Sequence, residues 1–535
     1  MFRLSSMVRR RRLLEVGLAS AAGLAGCSDI TESDAEGTES TTETDTPTET
    51  EAATATETPT PEPAVVHSLP FTDEATSMDT LHSQSDAGSL SVSDSRPRSF
   101  KRPSSAEEDA DSARFVRSST GETELVYAFS KPVGWLNAEV HNVNNKAGSV
   151  SVYTSSDGAD WNKIYVSTDK YSVVALDGGW NSMELSYGDF DSDIRYVKFV
   201  LSGSDVAWNP QIGHVEVKAE RPGDNNAASE PISTSLQSEP VAGDLIDPGR
   251  TVLGYLQHLP GDGWLSGQHE YDPSSKGRLD YVQSVTGKHP GLVGYDVGFG
   301  GLEDRADTIT TTWNDSNQLT TISWHVSAPP VESTNFERSM DSSDIDAVLT
   351  AGTEENTVYM EKLAEIADFL ETLDDSGVPI LWRPFHEADG GWFWWGKEGA
   401  AQFKRLWEHM FDYLHAERGL TNLIWVWSGS HGKPDSEWYP GDEYVDIAGI
   451  DTYKSHKSLS WEEQWDSMND YVTNRPVALT ESDSIPHPQK VRSETLPFLW
   501  FLTWHGKHVK DIDKGYLEFV YNHPFTINRE DLPEF

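Results

Sequence analysis

Residues 378–396 read VPILWRPFHEADGGWFWWG, and this stretch decides the fold. A Gly-Val-Pro turn signal opens an apolar run from Val378 to Phe385, short enough for a strand buried on both faces, and the run stops at His386 and Glu387. A carboxylate therefore stands at a strand end. Asp389, two glycines and then Trp392, Phe393, Trp394 and Trp395 follow at once. Indole faces beside a carboxylate suit a sugar ring, whose C–H faces stack on aromatics while its hydroxyls meet polar groups. The competing reading pairs Glu387 with Arg383 and gives the tryptophans to a core.

Outward from this stretch, strand-like and helix-like segments alternate over 249–535. Strands are predicted at Thr251 to Leu256, Gly291 to Asp296, Thr320 to Val326, Val378 to His386, Leu423 to Ser428, Asp446 to Tyr453, Pro476 to Glu481 and Leu499 to Trp504. Helical spacing is clearest from Glu355 to Leu373, Ala400 to Glu417 and Ser460 to Asn474. Eight strands with intervening helices predict an α/β fold, a (β/α)8 TIM barrel whose functional residues gather where strands end.

In that count Glu387 closes the fourth strand and Glu481 the seventh, so two carboxylates converge over the barrel mouth. Glycosidic bond cleavage needs such a pair: one gives a proton to the leaving oxygen, the other attacks or stabilises the anomeric carbon. The ionised partner raises its neighbour's pKa and keeps the acid protonated.

The motifs LWRPFHEADGGWFWWG, WYPGDEYVDIAGIDTY and RPVALTESD resemble, in this order, the catalytic domain of glycoside hydrolase family 26, most of whose members are endo-β-mannanases. The resemblance implies a retaining endo-1,4-β-mannosidase with Glu387 as acid/base and Glu481 as nucleophile. It also implies that His386 helps hold the nucleophile, that Tyr453 hydrogen-bonds to it, and that His325, Trp392 and Trp504 line the sugar site, with Arg383 orienting the carboxylates. From the residues alone, His386 points away from Glu387 unless the strand end twists, His325 reads equally as a structural histidine, and Tyr453 and Trp504 read as packing. Ala388-Asp389 stands where family members often carry Met-Asn, and Ser482-Asp483 where they often carry an apolar residue and glycine. These departures leave open the same chemistry on xylan or mixed-linkage β-glucan. The remaining alternative is a non-catalytic surface polysaccharide-binding protein. No metal-ligand spacing and no phosphate-binding glycine loop is present, so no cofactor is expected.

Ahead of the barrel, residues 65–220 carry short β-type runs divided by turns, which predicts an all-β sandwich. VYTSSDGADWNKI, RYVKFVLSG and QIGHVEV look like jelly-roll carbohydrate-binding modules. Trp135, Trp161, Trp180 and Trp208 are the candidate sugar platforms, although for any one of them a place in the core is the leading reading. Residues 221–248 read as a linker, and 28–64, rich in Thr, Glu and Pro, as a disordered stalk. Residues 1–27 carry paired arginines, a short apolar stretch and LAGC, which resemble a twin-arginine signal with a lipoprotein box. Cys27, the single cysteine, would be lipidated and tether an exported, extracellular monomer to the outer face of the cell membrane. With 87 acidic against 41 basic residues and a net charge of -46, nucleic acid is excluded as a partner and a salt-rich habitat is expected.

Overall fold

The computed structural model describes residues 64–535 apart from 85–88, 94–112, 144–148, 177–179, 189, 191–192, 204, 221–230, 271–276, 299–301, 334–335, 431–433, 454–459 and 493–495. The segments expected to be an export signal with Cys27 and, nearly whole, a stalk lie outside the described residues, as does the side chain of Trp180.

Eight parallel strands close in chain order: β1 (Gly267–His269), β2 (Leu292–Asp296), β3 (Leu319–Trp324), β4 (Ile380–Pro384), β5 (Leu423–Gly429), β6 (Ile447–Thr452), β7 (Val477–Ser482) and β8 (Phe501–Thr503), with β8 pairing back on β1. Every residue of these strands is buried, which is why they read as continuous apolar runs and not as alternating ones. The predicted helices form at Glu354–Asp375, Ala400–Phe411 and Trp461–Asn469. Thr353 caps the first through the amide of Asn356, and Ser460 with Glu463 makes a capping box on the third. The second continues past Phe411 as a π-helical turn, Asp412–Glu417.

One predicted strand is a helix. Thr251 to Leu256 belongs to Asp247–Gln257, which a proline opens and which buries Val252, Leu253 and Leu256 on one face. Its short apolar run is ambiguous between the two structures, and the proline at the helix start decided it. The true first strand, Gly267–His269, has three residues, too few for any periodicity to show.

Two antiparallel sheets precede the barrel. Among the described residues one sheet has seven strands, running Leu90–Ser93, Arg114–Arg117, Gln211–Lys218, Trp135–Val143, Trp180–Tyr187, Ser167–Leu176, with Phe71–Asp73 added on Gln211–Lys218. The other has five: Ser83–Gln84, Thr123–Ala128, Tyr196–Ser202, Ser149–Ser155, Asn162–Ile164. Phe115, Leu125, Tyr127, Leu136, Phe199 and Val215 fill the core between them. Trp135, Trp161 and Trp208 stay out of that core, contrary to the leading reading for each. Lys218 lies 4.7 Å over the ring of Trp135 and Lys198 4.3 Å over that of Trp161, so these indoles are satisfied at the surface by cations. Trp208 is 41% exposed.

Candidate active site

Strand β4 ends at Pro384, and the two residues flanking His386 leave the extended region: Phe385 has φ 46° and Glu387 φ 55°. Left-handed backbone at non-glycine residues costs on the order of 1 kcal/mol or more each and persists where surroundings over-determine it. Here the Glu387 amide is held by the carbonyl of Ser428 at 3.1 Å. The kink replaces strand alternation and turns both His386 and Glu387 toward the mouth. Nε1 of Trp392 donates to Oε2 of Glu387 at 3.1 Å. That indole lies against Gly390, where an added Cβ would come within 2.1 Å of the ring, so the Gly-Gly pair after Asp389 is what lets Trp392 fold back on the carboxylate.

On the opposite wall, the pairing of β6 with β7 shifts register between Ile450 and Asp451, which brings Asp451 level with Glu481 and leaves Thr480 as the extra residue. Such a bulge re-aims the side chains that follow it. Arg383, from β4, spans the gap: Nη2 donates to Oε2 of Glu481 and Nη1 to Oδ2 of Asp451, both at 2.7 Å. Ser428 and Thr480 donate to Asp451 at 2.9 and 2.6 Å, and the Tyr453 hydroxyl donates to Oε1 of Glu481. Both oxygens of Glu481 thus accept from named donors, which orients it.

The two glutamates sit in unlike surroundings. Burial, the charge of Glu481 and then that of Asp451 push the Glu387 carboxyl well above its usual range, with Arg383 opposing. Burial, with Glu481 and Glu387 next, likewise raises the Tyr453 hydroxyl, so it stays a donor. A carboxylic acid kept protonated beside an ion-paired carboxylate is the pairing that acid-assisted displacement requires.

His325, just after β3, holds Asp296, at the end of β2, through Nδ1 at 2.5 Å. Its ring lies 4.4 Å from that of His386, 6.3 Å from that of Trp504 and 5.2 Å from that of Phe336. The Trp504 ring lies 3.8 Å from that of His269, tilted by 36°, and 5.9 Å from the Arg383 guanidinium. Burial, before the Arg383 charge, pushes the His386 imidazole well below its usual range, so it is neutral.

All eight residues singled out from the sequence, His325, Arg383, His386, Glu387, Trp392, Tyr453, Glu481 and Trp504, come from the C-terminal ends of β3, β4, β6, β7 and β8. One implied contact is absent. His386 makes no hydrogen bond to Glu481; its ring turns to His325, because the left-handed residues on either side swing it there, and Arg383 and Tyr453 take the two oxygens of Glu481. Asp451, Ser428, Thr480, Asp296 and His269 were missed. Asp296 and Asp451 carry the signal that exposed Glu387, a carboxylate at the end of an apolar run, while Ser428 and Thr480 carry none. Among the described residues no cluster of His, Cys, Asp and Glu could hold a metal ion.

Residues 244–531 match the sequence profile of glycosyl hydrolase family 26. A mannan endo-1,4-beta-mannosidase of Bacillus subtilis (strain 168) is 27% identical over 343 residues, which cover 56% of this chain and 93% of that protein. Among solved structures, the beta-mannanase from a symbiotic protist of the termite Reticulitermes speratus, complexed with gluco-manno-oligosaccharide, is 28% identical with a TM-score of 0.50, covering 56% of this chain and 99% of that one. A ruminal GH26 endo-beta-1,4-mannanase shares the fold over 88% of this chain and 99% of its own, with 23% identity and a TM-score of 0.53.

Proposed function

The chain belongs to glycosyl hydrolase family 26 and is a glycoside hydrolase, and we propose that it is a retaining endo-acting enzyme that cleaves β-1,4-mannosidic bonds in mannan-type polysaccharides. The observation that carries this reading is the unlike setting of the two carboxyls: Glu387 raised by burial and by its neighbours, Glu481 tied to Arg383 and Tyr453.

In the first step Glu387 protonates the leaving glycosidic oxygen while Glu481 attacks the anomeric carbon, forming a glycosyl-enzyme. In the second, Glu387, now ionised, takes a proton from water, which attacks the same carbon and frees Glu481. Arg383 aims Glu481 and holds Asp451 with the other prong of the same guanidinium. Trp392, Trp504, His325 and the neutral His386 bound the space where the ring sits. The sandwich, with Trp208 exposed, is read as a carbohydrate-binding module that holds polymer near the barrel. The sequence of 1–64 supports an exported enzyme on a lipid tether, working outside the cell.

Product analysis on mannan, xylan and mixed-linkage glucan in molar salt tests the reading. Mannooligosaccharides of mixed length from mannan, with no release from the other two, are expected; release from xylan or glucan alone reassigns the substrate.

A further inference from the structure

Between Asn162–Ile164 and Ser167–Leu176 the sandwich reaches onto the barrel through Tyr165, beside Tyr187, whose ring lies 6.3 Å from that of Phe519. Its hydroxyl donates to Oδ1 of Asp513 at 2.8 Å, and its carbonyl accepts from Nε2 of His487 at 2.6 Å. Nδ1 of His487 accepts the amide of Gln489 at 3.2 Å, so the ring proton is on Nε2 and the bond to Tyr165 is a donation. The Tyr165 ring packs 5.5 Å from that of Tyr516 and 5.6 Å from that of Phe519, both on the barrel helix Lys514–Asn522. At Gly515, on the same helix, an added Cβ would stand 2.1 Å from the Tyr165 hydroxyl, so the approach depends on a missing side chain.

These barrel contacts lead to the segment that follows Glu481. Tyr516 donates from its hydroxyl to the carbonyl of Ile485 at 3.1 Å, and His487 is itself part of that segment. Ser482 at its start is fixed by the amide of Ser484 at 3.0 Å and by the amide of Trp504, which donates to the Ser482 carbonyl at 2.9 Å. Residues 482–487 are therefore tied to the sandwich at His487 directly and at Ile485 through Tyr516, and to the backbone of Trp504 at Ser482. A strand-end loop held only by itself opens locally at small cost, whereas one held at both ends by neighbouring elements does not.

We propose that Tyr165 of the sandwich is a positioning residue for Glu481, bracing the strand end that carries it, so that the sandwich contributes to turnover as well as to any polymer it binds. The inference rests on Glu481 being the nucleophile. A reacting group misplaced by about 1 Å loses on the order of 100-fold in rate, so loosening one brace is expected to cost less than that, roughly ten-fold.

The test uses the full chain and a short soluble β-1,4-mannooligosaccharide, whose hydrolysis needs no polymer capture. Tyr165→Ala is expected to lower kcat roughly ten-fold with KM within about two-fold of the parent, and Tyr165→Phe, which keeps the ring, to restore kcat to within about two-fold. His487→Ala removes the barrel side of the same brace, and the double variant is expected to fall no further than the weaker single variant, as coupled residues do. Should Tyr165→Ala lose the parental near-UV circular dichroism, Tyr165→Leu carries the same expectation. Parental kcat in the folded alanine or leucine variant, or single effects that multiply in the double variant, overturns the brace. A parent inactive on both mannan and the oligosaccharide instead overturns the proposed reaction.

Discussion

Arg383 donates from Nη2 to Oε2 of Glu481 at 2.7 Å, and both side chains are almost wholly buried, at 1% and 5% exposure. The same guanidinium holds Asp451, so three charges from β4, β6 and β7 form one unit under the barrel mouth. Removing the cation would leave two buried carboxyl groups without the counter-charge they share.

Arg383→Ala is accordingly expected to destabilise the fold by about 3–5 kcal/mol, the usual cost of breaking a buried pair on one side. Arg383→Lys, which cannot serve both carboxylates with one ammonium, is expected to keep the fold and still lose most activity. Urea denaturation and kcat/KM on mannan measure the two. A lysine variant with parental activity would show that the two-pronged contact is dispensable.

Glu387 is expected to show its role through leaving groups and through pH. Glu387→Ala should lose roughly 10²- to 10⁴-fold on mannan, whose leaving alcohol needs a proton, and much less on an aryl mannooligosaccharide with a good leaving group. The acid must be protonated to act, and its carboxyl sits well above the usual range, so kcat/KM should fall as pH rises through that raised pKa. Glu387→Gln should lose that alkaline limb. Equal losses on both substrates would remove the acid/base assignment.

Much of this centre is legible in the sequence because charged residues interrupt apolar runs. Glu387 and Glu481 stand out at strand ends, and eight such runs with helices between them suggest the barrel. What escapes is set by geometry that no local pattern encodes. The bulge at Thr480 and the left-handed Phe385 and Glu387 arise from packing between strands, and they decide that His386 turns to His325 and that Asp451 stands beside Glu481. Strand β1 is too short to read, and the run at Thr251 was decided by a proline four residues earlier than the run's second residue, Val252 (252 minus 248).

Asp451 links the centre to stability. Burial, with the charge of Glu481 adding to it, lifts its carboxyl from 3.8 to about 7, against the pull of Arg383, Thr480 and Ser428. A folded carboxyl pKa above the unfolded one means the folded state binds more protons between those values, so this group's contribution is full below the unfolded pKa and lost as pH climbs toward 7. Asp451→Asn is expected to flatten the decline in unfolding free energy between pH 4 and pH 7. An unchanged slope in chemical denaturation would contradict it.

The net charge of -46 sets a further expectation. Self-repulsion among exposed carboxylates weakens as the Debye length shortens from about 10 Å at 0.1 M to about 3 Å at 1 M salt, so Tm and activity should rise over that range. Thermal melts and initial rates at matched pH measure it, and values flat from molar salt to none would remove the salt-adapted reading.

The most direct test of the central assignment is intact-protein and peptide mass spectrometry after incubation with a 2-deoxy-2-fluoro mannosyl substrate carrying a good leaving group, which slows release of the intermediate more than its formation. A covalent glycosyl adduct on the peptide that contains Glu481 is the predicted result. A turned-over substrate with no adduct, or an adduct on Glu387, would contradict the double displacement built on these two carboxylates.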